Sequence, residues 1–123
     1  MSMSKEALEM IFAAYKRHPE FLGTSITDVN QRGAFDSTLL HIAARTGNVE
    51  HVKALIELGA DVNIRGDLEN TPLHDAALCG QADVAVLLLS LGADPKLKNE
   101  FDQTALDVAQ LGNKVEVSKV LGK

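Results

Sequence analysis

The chain has 123 residues, 46% apolar and 24% charged, which suffices for one packed domain or a short repeat array and excludes a disordered chain. Aromatic residues supply 4% and tryptophan is absent, so a core has to be assembled from Leu, Val, Ile and Ala, which favours closely spaced helices. Twelve basic against seventeen acidic residues leave a formal charge of −5, a balance that argues against binding nucleic acid or an anionic membrane surface. At the N-terminus, Met1 to Glu6 lack the apolar stretch of a secretory leader, and the longest apolar run, Val84 to Leu89, is too short to span a bilayer; the cytoplasm is the expected compartment. Ala7, Leu8, Ile11, Phe12 and Tyr15 then form an apolar stripe on one helix, with Lys5, Glu6, Glu9, Lys16 and Arg17 opposite. Pro19 ends that helix, and Glu20 to Gly23 make a further short turn.

From residue 28 the chain repeats itself. Thr38-Leu39-Leu40-His41-Ile42-Ala43-Ala44 recurs as Thr71-Pro72-Leu73-His74-Asp75-Ala76-Ala77, and more weakly as Thr104-Ala105-Leu106-Asp107-Val108-Ala109. The three threonines are spaced by 33 residues, and Gly59-Ala60-Asp61-Val62-Asn63 recurs in the same register as Gly92-Ala93-Asp94-Pro95-Lys96. Thr71 suits a helix N-cap with Pro72 at the first helical position, where a missing N–H costs nothing. Gly47, Gly80 and Gly112 close the first helix of each unit as left-handed residues. Second helices are predicted over Val49–Leu58, Ala82–Leu91 and Lys114–Leu121, with Val49, Val52, Leu55 and Ile56 on one buried face, and Gly59 and Gly92 stopping the first two.

This pattern resembles the ankyrin repeat, over roughly Asp28 to the C-terminus. The resemblance implies an all-α solenoid of helix-turn-helix units with β-turn fingers, stacked because neither helix of a unit buries its face alone. The expected division is an N-terminal helical cap at 1–27 and repeat units at 28–60, 61–93 and 94–123, the last a C-terminal cap. Two departures stand out. Asp36, Glu69 and Asp102 occupy the place where the family usually has glycine, and because Glu tolerates a left-handed backbone poorly, the turn at Glu69 is expected to differ. Asp107 replaces the motif histidine in the third copy.

Candidate chemistry is sparse. His41 and His74 occupy one repeat position; units stack about 10 Å apart, too far for two ligands of one metal. The resemblance assigns them hydrogen bonds to the loops between repeats. His51, beside Glu50, is expected to be solvated, and His18, at a helix end, to act as a cation on the dipole. Cys79 is the single cysteine, so an internal disulfide is excluded, and no neighbouring base or electropositive setting marks it as a nucleophile. No phosphate-cradling glycine loop or catalytic carboxylate pair is present. No enzyme, metal or cofactor is expected.

In the ankyrin family the fingertips and the exposed side of the first helices line a concave groove that binds partners. The columns that the 33-residue frame places there are Arg32, Arg65 and Lys98; Ala34, Asp67 and Glu100; Phe35, Leu68 and Phe101; and Ser37, Asn70 and Gln103; with Arg45, Leu78 and Gln110 at the ends of the first helices. The first column is uniformly basic: either three solvated loops or an edge facing an acidic partner. The third is uniformly apolar: packing of finger on finger is the commoner fate of such residues, partner contact the other. The expectation is a non-catalytic, monomeric module that binds a protein through this groove, neither nucleic acid nor membrane. The alternative is a dedicated inhibitor or immunity-type protein that neutralises a toxin or enzyme.

Overall fold

Each first helix opens on a threonine that caps it. The computed structural model describes residues 2–122, and the side chains of residues 5–122. Thr38 Oγ1 accepts the N–H of His41 at 3.4 Å, and His41 Nδ1 accepts the N–H of Thr38 at 3.2 Å, a reciprocal box that starts helix α2, Leu39–Thr46. Thr71 and His74 repeat it at α4, Pro72–Leu78. At α6, Ala105–Leu111, the carboxylate of Asp107 takes the histidine's part, accepting the N–H of Thr104 at 2.9 Å. The second helices are α3, Val49–Glu57, α5, Ala82–Ser90, and α7, Val115–Leu121, each within a residue of the boundaries expected.

The turn between paired helices needs a left-handed residue. Gly47 (φ +77°) and Gly80 (φ +70°) supply it in the first two units. In the third, Gly112 stays at φ −89° and Asn113 (φ +56°) turns the chain instead. The 33-residue frame from Gly80 lands on Asn113, and Asn is among the few residues that adopt this conformation readily.

First helices stack in one layer, α2 on α4 on α6, and second helices in another, α3 on α5 on α7. Leu39, Leu40 and Ile42 of α2, Leu73 of α4, Val52 and Leu55 of α3, and Val84 and Leu88 of α5 are buried between them. Ala43, Ala44, Ala76, Ala77, Ala105 and Ala109 let the helices approach. Helix α1, Ser2–Tyr15, packs on α3 with Ile11 and Tyr15 buried, and a 3₁₀ turn, Pro19–Phe21, plugs Phe21 completely into the core. His51, expected in solvent, is half-buried against α1, its Nδ1 2.8 Å from the Tyr15 hydroxyl. Among the described residues the fold is all-helical.

Candidate functional site

Three fingers project from the stack, each closed by one backbone hydrogen bond: Gly33 N–H to Ser37 C=O (2.8 Å), Gly66 to Asn70 (2.8 Å) and Asn99 to Gln103 (2.9 Å). Asp36, Glu69 and Asp102 are all left-handed, at φ +69°, +61° and +62°. Glu69 therefore takes the same conformation as the two aspartates; the middle finger differs instead at Leu68, which is left-handed as well (φ +57°), inside a 3₁₀ turn at Asp67–Glu69. Its carbonyl accepts the N–H of Glu100 in the next finger at 2.9 Å.

The basic column is a ladder between fingers. Arg32 Nη1 donates to the carbonyl of Arg65, and Arg65 Nη1 to that of Lys98 at 2.6 Å and of Glu69 at 3.2 Å. Lys98 pairs with Asp102 at 3.4 Å. The two arginines thus bridge neighbouring fingers while staying partly exposed. The fourth column also lies within the fingers. Ser37 is buried, Asn70 accepts from Asn99 Nδ2 at 3.0 Å, and Gln103 accepts from the same nitrogen at 3.1 Å. The apolar column is the reverse of the commoner fate: Phe35, Leu68 and Phe101 are 66%, 43% and 59% exposed, not packed finger on finger.

Both motif histidines are structural. His41 Nε2 lies 2.8 Å from the carbonyl of Asn70, and His74 Nε2 the same distance from that of Gln103. With Nδ1 accepting from threonine, each ring is neutral with its proton on Nε2. Burial holds the His41 imidazolium down to about 4 and lowers His74 in the same direction. With both its nitrogens committed, His74 offers no base to Cys79. That thiol is exposed and raised above its ordinary value, by burial and then by Asp75, away from the thiolate a nucleophile requires. His18 caps the 3₁₀ turn, its Nδ1 accepting the N–H of Glu20 at 3.1 Å.

A cleft of about 290 Å³ opens on the finger side, lined by the N-terminal turn (His18, Pro19, Glu20), the first two fingers (Phe35, Ser37, Asp67, Leu68, Asn70) and the first helices (Arg45, Asp75, Leu78). Thus Phe35, Ser37, Arg45, Asp67, Leu68, Asn70 and Leu78 are brought together, while Lys98, Glu100, Phe101 and Gln103 stand on the third finger, outside it. Four residues of the cleft, His18, Pro19, Glu20 and Asp75, were not among the expected site residues, and the two carboxylates matter most. The buried Glu20 carboxylate accepts the N–H groups of Phe35 (3.0 Å) and Ser37 (2.8 Å) and clamps the first finger to the N-terminal turn. No repeat partner could have flagged it. Asp75 does carry a signal, because its column is otherwise apolar, Ile42 and Val108. It is buried on the cleft floor, with Oδ2 2.9 Å from Arg45 Nη1, which also reaches Ser37 Oγ at 3.1 Å. Burial foremost pushes the Asp75 carboxyl up to about 6; Arg45 pulls it down and Asp67 adds a smaller upward push.

Paired helices in two stacked layers, with hydrogen-bonded fingers on one side, define a helical repeat solenoid. A family model described as ankyrin repeats in three copies matches residues 10–99, and the chain belongs to the ankyrin repeat family. The match begins well before Asp28, where the repeat motifs start, and ends before the third first-helix. No curated protein matches the chain. Ankyrin repeats are generally non-catalytic protein–protein interaction modules. Among the described residues no helix is long and apolar enough to cross a membrane.

Proposed function

We propose that this chain is a non-catalytic binding module that grips a partner protein with its fingertips and the exposed ends of its first helices. The observation that carries this reading is the exposed apolar column, Phe35, Leu68 and Phe101, on fingers that hydrogen bonds hold in place. Large apolar side chains left in water at every repeat of one face favour an interface. Asp67, Glu100 and Leu78 flank them and supply the variable contacts. The fingers are preordered, so little backbone change accompanies binding.

The test is affinity capture with the full chain, followed by mass spectrometry. Changing Phe35, Leu68 and Phe101 together to Ser should abolish capture while leaving the helical circular dichroism intact. Lys53→Glu with Glu57→Lys, on the exposed side of α3, should leave it unchanged. The reverse pattern would place the interface on the second helices and sink the proposal. Loss of a captured enzyme's activity would mark the inhibitor within this reading.

A further inference from the structure

We propose that the cleft between the N-terminal turn and the first two fingers receives a lysine or arginine side chain of the partner protein, its charged head on Asp75 and Asp67 and its methylene stem against Leu68, Leu78 and Phe35. The inference rests on the groove reading above and names what the groove selects.

Its first support is an incomplete carboxylate. The side chain of Asp75 is only 6% exposed, yet its hydrogen bond is made at Oδ2 alone. No side-chain polar atom sealed from solvent lacks a partner among the described residues, so the unpaired Oδ1 opens on the cleft that Asp75 lines. An oxygen that the cleft leaves open and no donor of the described residues occupies is free to accept from a charged donor brought in by a partner.

The second support is the charge around it. Glu20, Asp67 and Asp75 line the cleft against one guanidinium, Arg45, with His18 at the rim as a hydrogen-bond acceptor. Glu20 is occupied by the N–H groups of the first finger, and Arg45 by Asp75 Oδ2 and Ser37. The acceptors left over are Asp75 Oδ1 and the exposed Asp67. A partner cation meets complementary charge, and an anion meets three carboxylates.

The third support is shape. About 290 Å³ lies at the lower edge of the range for enclosed small-molecule sites, roughly 300–1,000 Å³, and suits one long side chain. Leu68 and Leu78, 43% and 54% exposed, wall it with apolar surface, and lysine and arginine cover such surface with their stems while presenting charge at the tip.

The probe is a phage-displayed library of random peptides, panned on the wild-type chain, on Asp75→Asn and on Asp67→Asn. Asp67 is exposed and its side chain makes no hydrogen bond or ion pair among the described residues, so that variant keeps the fold even if Asp75→Asn does not. The wild type should enrich peptides bearing Lys or Arg beside an apolar residue. Replacing that cation by norleucine should weaken an enriched peptide about tenfold or more, the scale of a truncated charged hot spot. Asp67→Asn, and Asp75→Asn if folded, should each weaken it several-fold. Enrichment of acidic peptides, equal binding to both variants, or no enrichment would overturn the assignment. If cation-free peptides are selected and the triple serine variant loses them, the groove reading stands and the cation does not. If only changes on α3 remove binding, both fall.

Discussion

His41 and His74 fix the sense in which stability depends on pH. A histidine held neutral by burial contributes stability that is present above its unfolded value of 6.5 and lost as pH falls toward its folded value, about 4 for His41. Asp75 acts in the opposite sense. Its raised carboxyl contributes stability that is present below 3.8 and lost as pH rises through about 6. Between pH 6 and 4 His41 and His74 both favour a fall of the urea midpoint on acidification, against Asp75 alone, and a fall is the expected outcome. Asp75→Asn should steepen the fall, by at most about 1.4 kcal/mol per pH unit for the one proton removed from the balance. A shallower slope in the variant would show that Asp75 does not bind its proton preferentially in the fold. Backbone strain gives a second residue-scale expectation. Glu69 is left-handed, at a cost of about 1–2 kcal/mol for a residue with a Cβ, and glycine relieves it while losing some unfolded-state restriction. Glu69→Gly should therefore stabilise by roughly 0.5–1 kcal/mol in denaturant unfolding. The carbonyl that Arg65 uses remains in place.

At the scale of the element, the finger is held by its neighbours more than by itself. Arg65 donates to its own finger and to the next, so Arg65→Ala should cost about 1–2 kcal/mol, the lower part of the range for a charged donor because the site is half exposed. An unchanged midpoint would return the row to simple solvation. The helices and their threonine caps were legible in the sequence because each depends on residues a few positions apart, repeated at a fixed interval; the task of the histidines came only from the family resemblance, since each reaches a carbonyl of the following unit. The fingers were legible only as columns. That Arg32 and Arg65 tie carbonyls of the following finger, or that Phe35 stays in water, depends on how far one unit is displaced from the next, which spacing does not give. Glu20 was hidden for a different reason: it belongs to a turn outside the repeat and acts on backbone N–H groups, which carry no sequence signature. Gly112 misled because a glycine stood one place before the frame position held by Asn113.

Across the whole molecule, stability rests on interfaces between units, since no unit closes a core alone. Leu73 is the sharpest probe of this. It is 1% exposed, on the central first helix, with α2 on one side and α6 on the other. Leu73→Ala should cost about 2–5 kcal/mol through lost burial and a residual cavity. At roughly 4 °C per kcal/mol for a chain of this length, the thermal midpoint should drop by about 8 °C or more. The chain carries its own second reporter: Tyr15 is its only tyrosine and there is no tryptophan, so intrinsic fluorescence reads α1 alone while far-ultraviolet circular dichroism reads all the helices. Tyr15 is buried, bonded to His51, and separated from Leu73 by the whole first unit. If that unit transmits the loss, both signals should move down together and keep one midpoint. A fluorescence transition left where it was, while the helical signal melts early, would mean that the N-terminal helices and first unit fold independently of the rest. Nearest-neighbour coupling across α2 and α4 would then be weaker than their continuous buried face requires.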